Sequence, residues 1–153
     1  MLKQKLTEDF KESLKSGDAK RRLVIGMVLS SVKNRELQKR AKSGNIEELN
    51  DDEVLEVIAS EVKKRKESIE SFKAGGREEM AQSEKEELNI LMVYMPEQMS
   101  EEQIREEARK AIAETGAKDI KEMGKVLGVL MPKVKGKADG TLVSRIVKEE
   151  LQK

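Results

Sequence analysis

Three features of this 153-residue sequence predict an all-α fold. Aromatic residues make up only 2% of the chain, so a core has to be built from Leu, Ile, Val, Met and Ala, which favours helices over a β-sandwich. Apolar residues recur every three or four positions through most of the chain, and no segment shows the sustained two-residue alternation of a half-buried strand. Glycine and proline interrupt this pattern at intervals that separate seven helices.

The first two predicted helices are separated by Ser16-Gly17. The second runs from about Asp18 to Lys42 and ends at Ser43-Gly44. Its middle, Leu23 to Leu29, is apolar nearly all round, so we expect this helix to lie centrally in a bundle. The first helix extends to about Lys15 and has apolar residues at a four-residue spacing, which places them on one face: Leu2, Leu6, Phe10 and Leu14.

The third and fourth predicted helices meet at Gly75-Gly76. Asn50 is expected to cap the third helix, because its side chain can accept a hydrogen bond from an early backbone N–H. The acids of the first turn favour the positive end of the helix dipole. The fourth helix extends from about Arg77 to Tyr94. The apolar residues expected to face inward on these two helices are Val54, Ile58, Val62, Ile69, Phe72, Met80, Leu88, Leu91 and Met92.

Pro96 marks a predicted domain boundary. Proline cannot continue a helix, and it pushes Met95 away from helical backbone angles. We therefore predict an N-terminal four-helix part over residues 1–95 and a small three-helix tail domain over residues 96–153.

Two of the three tail helices begin at recognisable caps. Ser100 is predicted to form a capping box with Gln103, and Asp119 with Glu122. The apolar residues expected to be buried by the helix after Asp119 are Ile120, Met123, Leu127 and Leu130. Pro132 is expected to stop that helix. A basic loop over residues 133–140 then leads to the last helix.

The chain contains neither cysteine nor histidine. Zinc sites built from these residues, thiol nucleophiles, imidazole bases and disulfides are therefore excluded. No loop has the carboxylate spacing of a calcium site, and no phosphate-binding loop or Ser-x-x-Lys pattern is present. No stretch approaches the ~18 apolar residues of a membrane span, and the early acids do not fit a signal peptide. We predict a soluble, cytoplasmic protein without a metal, a cofactor or a catalytic residue.

Charge is unevenly distributed although the net charge is only +1. Residues 20–42 carry a net charge of +7, residues 118–148 carry +5, and residues 47–70 are acidic. The basic residues of 20–42 are interpreted as partners for the acids of the third helix, in pairs that contribute little stability. Local fields decide which polyanions a surface attracts, so the 118–148 segment becomes the candidate for nucleic-acid binding.

The segment Tyr94-Met95-Pro96 and the string MGKVLGVLMPKVKGKADG over residues 123–140 carry a family resemblance. This string combines two helix-embedded glycines, a proline and a basic, glycine-bounded loop. It resembles the tail domain of the B subunit of the tRNA-dependent amidotransferase, and the whole chain resembles the stand-alone GatB/YqeY family of small bacterial proteins. The resemblance implies four helices followed by a three-helix tail.

The resemblance also implies a binding function rather than a reaction. In the amidotransferase, the helical and tail domains grip tRNA, while a separate cradle domain and a glutaminase subunit perform the chemistry. Nothing in this chain resembles the cradle domain. The resemblance therefore favours a non-catalytic tRNA-binding accessory protein.

The candidate RNA-binding residues lie in the tail. Gly124 and Gly128 share one helical face, which indicates either tight packing against another helix or close approach of an RNA backbone. The loop lysines can contact successive phosphates, with loop amides as extra donors, or can simply be solvated around an ordinary N-cap at Asp139. The predicted set is Lys125, Lys133, Lys135, Lys137, Arg145, Gly124, Gly128 and Gly136.

Two alternative functions remain open from the sequence. The long charged helices are also compatible with an adaptor that docks an amidotransferase or aminoacyl-tRNA synthetase subunit. A carbon–nitrogen ligase that uses glutamine as amide donor is the third hypothesis, which the missing catalytic domains disfavour.

Overall fold

The computed structural model describes residues 1–153 and contains seven α-helices, one short 3-10 helix and no strand. The predicted all-α class is confirmed. The helices are α1 (Leu2–Ser16), α2 (Ala19–Ser43), α3 (Asp51–Ala74), α4 (Glu78–Met92), α5 (Glu101–Thr115), α6 (Met123–Val134) and α7 (Gly140–Leu151), with the 3-10 turn Ile120–Glu122 directly before α6. They form two compact units, Met1–Met95 and Pro96–Lys153.

Reciprocal hydrogen bonds at two helix starts confirm the predicted N-cap Asn50 and the predicted capping box of Ser100 with Gln103. At α3, the Asn50 side chain accepts from the Glu53 amide at 2.9 Å, and the Glu53 carboxylate accepts from the Asn50 amide at 2.9 Å. At α5, Ser100 and Gln103 make the equivalent pair at 3.2 and 2.9 Å. These bonds satisfy backbone donors that the first helical turn leaves unpaired.

The first unit has a core of aliphatic side chains from all four of its helices and the α2–α3 loop. In this unit α3 packs on α4 and α1 packs on α2. Tyr94 closes the core next to the end of α4, where its hydroxyl donates to the Asp9 carboxylate of α1. The buried residues are Leu6, Val24, Ile25, Val28, Val32, Leu49, Val54, Val57, Ile58, Val62, Leu91 and Tyr94.

Helix α2 is not buried all round, so the expectation of a central position is wrong for part of its surface. Leu23 is 58% exposed and Met27 is 45% exposed. The buried face of α2 is formed instead by Val24, Ile25, Val28 and Val32. Met80, predicted to point inward, is 45% exposed, because it lies in the first turn of α4, beside Arg77 at its start.

The basic residues of α2 pair only partly with α3. Arg35 binds Glu56 at 2.6 Å and Lys39 binds Glu53 at 2.9 Å, as predicted. Other basic residues of 20–42 pair with α1 or α4: Arg21 lies 3.6 Å from Asp9, and Lys20 lies 2.5 Å from Glu86.

The second unit has its own core, built by α5, α6, α7 and the turn after α5. Helix α5 contacts both α6 and α7. The buried residues are Ile104, Ala108, Ala111, Ala117, Val126, Leu130, Val134, Val143, Ile146, Val147 and Leu151.

The start of α6 differs from the prediction. The Asp119 carboxylate accepts from the Lys121 amide at 2.9 Å, while the Glu122 carboxylate accepts from the Lys118 amide at 2.6 Å. These two separate bonds hold a 3-10 turn rather than a reciprocal capping box. The turn leaves Ile120 40% exposed instead of buried.

Pro132 does not stop α6, which continues to Val134. The missing N–H of a proline in the last helical turn removes one hydrogen bond, to the carbonyl four residues earlier. That carbonyl belongs to Gly128, an exposed residue, so water can replace the lost donor. Val134 is buried in the core and holds the final turn in place.

Candidate nucleic-acid interface

All eight residues predicted for RNA binding lie in the unit Pro96–Lys153. Four of them stand on α6, with Lys133 near its end. Three lie in the loop that joins α6 to α7, and one stands on α7. In chain order they are Gly124, Lys125, Gly128, Lys133, Lys135, Gly136, Lys137 and Arg145.

The two glycines of α6 face open space. A Cβ atom built on Gly124 or on Gly128 would meet no heavy atom within 4 Å outside its own helix turn. The packing interpretation is therefore wrong within this chain. A glycine inside a helix destabilises the helix by about 0.5–1 kcal/mol relative to alanine. No packing contact within the chain offsets this cost at Gly124 or Gly128.

Two exposed apolar residues extend this glycine surface. Ile120 and Met131 are 40% and 38% exposed. Met131 stands three residues after Gly128 on α6, so helical spacing places it beside the glycines, and Ile120 lies in the 3-10 turn directly before α6. We call the surface of Ile120, Gly124, Gly128 and Met131 the glycine face.

The basic loop after α6 is held by backbone hydrogen bonds. The amides of Lys137 and Ala138 both donate to the Val134 carbonyl, at 2.9 and 3.1 Å. The Gln98 side-chain amide donates to the Gly136 carbonyl at 2.9 Å. Gly136 has a φ of 77°, which other residues adopt only with strain. The predicted use of loop amides as phosphate donors is thus wrong for residues 137 and 138. Of these two residues, only the Lys137 side chain is left as a phosphate donor.

A backbone donor at the start of α7 also already has a hydrogen-bond partner. The Asp139 carboxylate accepts from the Thr141 amide at 3.3 Å. Asp139 is therefore an N-cap, as the simpler sequence interpretation has it, and its negative charge disfavours a phosphate at the same helix end.

Several candidate cations already lie near carboxylates. Lys125 lies 4.0 Å from Glu122, and Lys133 lies 3.4 Å from Glu114. Arg145 lies 3.6 Å from Glu101 and 3.8 Å from Glu149. The side chains of these three cations are 71%, 48% and 57% exposed, respectively. Exposed pairs of this kind are weak, so a phosphate can exchange with the carboxylate.

Lys133 and Lys137 line a depression of about 520 Å³ beside α5. Three carboxylates share this lining, which favours cations over anions inside it. We therefore expect RNA phosphates to bind outside this depression, although two of the predicted lysines reach it. Its other residues are Glu97, Gln98, Met99, Gln103, Glu106 and Glu107.

Comparisons with known proteins extend these observations. Residues 3–151 match the family described as Yqey-like protein. The chain is 29% identical over 92 residues to "Altered inheritance of mitochondria protein 41, mitochondrial" of Candida glabrata, covering 60% of this chain and 48% of that protein. The proteins of the same name from Eremothecium gossypii and Kluyveromyces lactis are 29% and 32% identical over 90 and 89 residues.

The matched region is thus about half the length of these curated relatives. The name of these relatives refers to the inheritance of mitochondria. No helix of this chain is both long enough and apolar enough to cross a membrane.

Proposed function

The chain belongs to the Yqey-like protein family, and we propose that its C-terminal unit binds the folded body of a tRNA without catalysing a reaction. The observation that carries the proposal is the pair of uncovered glycines, one turn apart, on a helix flanked by exposed lysines. An RNA backbone can approach such a helix more closely than one covered by side chains.

Charge and composition favour recognition of folded RNA. Residues 118–148 carry a net charge of +5, and lysine contacts to phosphates supply affinity without reading sequence. Proteins that read single-stranded RNA usually stack bases on aromatic side chains. Phe10, Phe72 and Tyr94 are the aromatic residues of the chain, and all precede residue 96. We therefore propose that this unit recognises the shape and the phosphates of folded RNA.

A salt titration with total tRNA tests the proposal. Wild type is compared with a Lys133→Ala/Lys135→Ala/Lys137→Ala variant and with a control that removes three exposed lysines of the first unit, Lys11, Lys66 and Lys85. If the loop contacts phosphates, the triple loop variant should flatten the log–log salt slope by about 0.7–0.9 per lost contact. The control should keep the wild-type slope.

Two results would contradict RNA binding by the tail. One is an affinity for tRNA no higher than that for heparin, a generic polyanion. The other is equal binding by the loop variant and the control. Glutamine-dependent amidation by the purified chain would contradict the non-catalytic part of the proposal.

A protein partner is the second candidate occupant of the glycine face. The exposure of Ile120 and Met131 favours it, since apolar side chains beside two glycines suit the close approach of another helix. An amidotransferase or synthetase subunit is the proposed partner. Binding to such a subunit that survives RNase and the triple loop substitution would support this candidate over tRNA.

We place this role in the cytoplasm, in line with the amino-acid composition, although the named relatives are mitochondrial. The absence of cysteine fits a reducing compartment. Imaging of a fluorescent fusion in the source cell tests the location, and retention in an organelle would contradict it.

A further inference from the structure

A groove on the first unit, distant in sequence from the glycine face, has no assigned role. It has a volume of about 640 Å³ and is lined by Phe10, Arg22, Leu23, Gly26, Met27, Ser30 and Ser31. Leu23 and Met27 supply the exposed apolar part, one helical turn apart on α2.

Gly26 shapes the floor of this groove. A Cβ atom at position 26 would lie 3.2 Å from Cε2 of Phe10, so the glycine lets the ring lie directly on the α2 backbone. Phe10 is half-buried and lines the groove together with Leu23 and Met27, which remain solvent-exposed. A partner's apolar side chains could pack on all three residues at once.

The two ends of the groove along α2 carry positive charge. Arg22 lines the groove, and Lys33 follows Ser30 by three residues on the same side of the helix. Neither makes an ion pair within 4.0 Å, whereas their α2 neighbours Arg21 and Arg35 both do. Lys33 interacts with Glu36 only at longer range, where, against the effect of burial, it helps to lower the pKa of that carboxylate.

A third cation lies behind the groove. Arg65 is 7% exposed, and its Nη2 contacts the Met27 sulfur at 3.9 Å. Glu61 binds its Nη1 at 2.8 Å, but its Nε has no hydrogen-bond acceptor. An unpaired buried donor is unfavourable.

We propose that this groove docks an acidic amphipathic helix of another protein, with apolar residues on Phe10, Leu23 and Met27 and carboxylates near Arg22 and Lys33. Apolar anchors spaced three or four residues apart are the usual way in which a helix fills such a groove. A second copy of this chain is disfavoured, because a two-fold antiparallel pairing of α2 would bring Arg22 of one copy next to Lys33 of the other.

Two designed peptides of about 18 residues, each about five helical turns, test the proposal. Both carry the same leucine stripe, and the flanking positions are glutamate in one and lysine in the other. Fluorescence anisotropy with the full chain should show about tenfold tighter binding of the glutamate peptide, weakening as salt rises.

Three variants assign this binding to the groove. Arg22→Glu/Lys33→Glu should abolish the preference for the glutamate peptide, and Leu23→Ala/Met27→Ala should weaken both peptides. The control Lys42→Glu/Lys85→Glu makes the same charge change at exposed positions of α2 and α4 and should bind like wild type. Circular dichroism shows whether each variant retains its fold.

Equal affinity for the two peptides, or no binding of either, would overturn the proposal. So would binding to phosphatidylserine vesicles without binding to the glutamate peptide, or a dimer that Met27→Glu dissociates. The triple loop lysine variant should bind the glutamate peptide normally. This result would distinguish failure of the docking proposal from failure of the proposed tRNA binding.

Discussion

Glu150 anchors the most connected ion-pair cluster of the second unit. Its side chain is 5% exposed and lies 2.9 Å from Lys153, 3.1 Å from Arg105 and 3.2 Å from Arg109. The hydrogen bond from Lys153, with those from Arg109 and Arg105, lowers the pKa of Glu150 from 4.5 to about 2 despite the opposing effect of burial. Folding therefore favours the ionised carboxylate.

Glu150→Gln should lower the free energy of unfolding at pH 7 by about 1.5–3 kcal/mol, the usual contribution of hydrogen bonds to a charged group. Because the folded-state pKa is the lower one, the carboxylate's contribution is full above pH 4.5 and is lost as the pH falls towards 2. Urea unfolding at pH 7 and pH 3 measures this. Wild type should lose more stability than the variant over this interval, and equal losses would contradict the role of Glu150.

The Tyr94 hydroxyl ties the end of α4 to α1. It donates to Asp9, which Arg21 and Lys5 also approach at 3.6 and 3.8 Å. Burial, and then Asp9, raise the pKa of Tyr94. Tyr94→Phe keeps the ring in the core but removes the donor, so it should destabilise the first unit by about 0.5–1.5 kcal/mol. Chemical denaturation checks this, and an unchanged midpoint would show that solvent or the two cations replace the bond.

Helix starts could be predicted at the scale of single elements because their determinants are local. Asn50 with Glu53, and Ser100 with Gln103, lie three residues apart, so the sequence alone places both partners. The covered face of a helix depends instead on its neighbours in space. Met27 is apolar but 45% exposed, because its neighbours Phe10 of α1 and Arg65 of α3 cover that side of α2 only in part.

This contrast between local and tertiary determinants explains which features of the candidate site could not be predicted from the sequence. The residue types on α6 and in its loop were visible, and so was their proximity along the chain. The open space around Gly124 and Gly128 was not, because a glycine pair is also typical of close helix packing. The carboxylates of Glu97, Glu106 and Glu107 were not expected beside Lys137, since the tertiary fold brings α5 and the segment before it to this loop.

Gly124→Ala/Gly128→Ala should stabilise α6. Both methyl groups would enter open space, and each substitution should add about 0.5–1 kcal/mol to the free energy of unfolding. Gly136→Ala is the contrasting control: its φ of 77° makes it destabilising. Thermal unfolding measures both. If the glycines serve RNA approach, the stabilised double variant should bind tRNA more weakly than wild type, and unchanged affinity would remove the glycines from the interface.

At the scale of the whole molecule, the chain contains two cores that share no residue. The segment after Pro96 also fixes its own first residues. The Met99 amide donates to the Lys137 carbonyl at 2.9 Å, and Gln98 donates to Gly136. Together with the Ser100 capping box, these bonds order the start of the unit from within it. A core of this size is small, because a domain of about 60 residues buries only about 60% of its unfolded surface.

Residues 96–153 expressed alone should therefore fold into a helical unit of low stability. Circular dichroism should show a helical spectrum with a cooperative thermal transition, and Ile146→Ala, a core truncation of the kind that destabilises by about 2–5 kcal/mol, should abolish it. The exposed substitution Lys148→Ala should leave the transition in place. If the tail is the RNA-binding unit, the isolated segment should also retain the salt slope of the full chain for tRNA. A folded segment without tRNA binding would place the function elsewhere, whereas an unfolded segment would show that its core depends on residues 1–95.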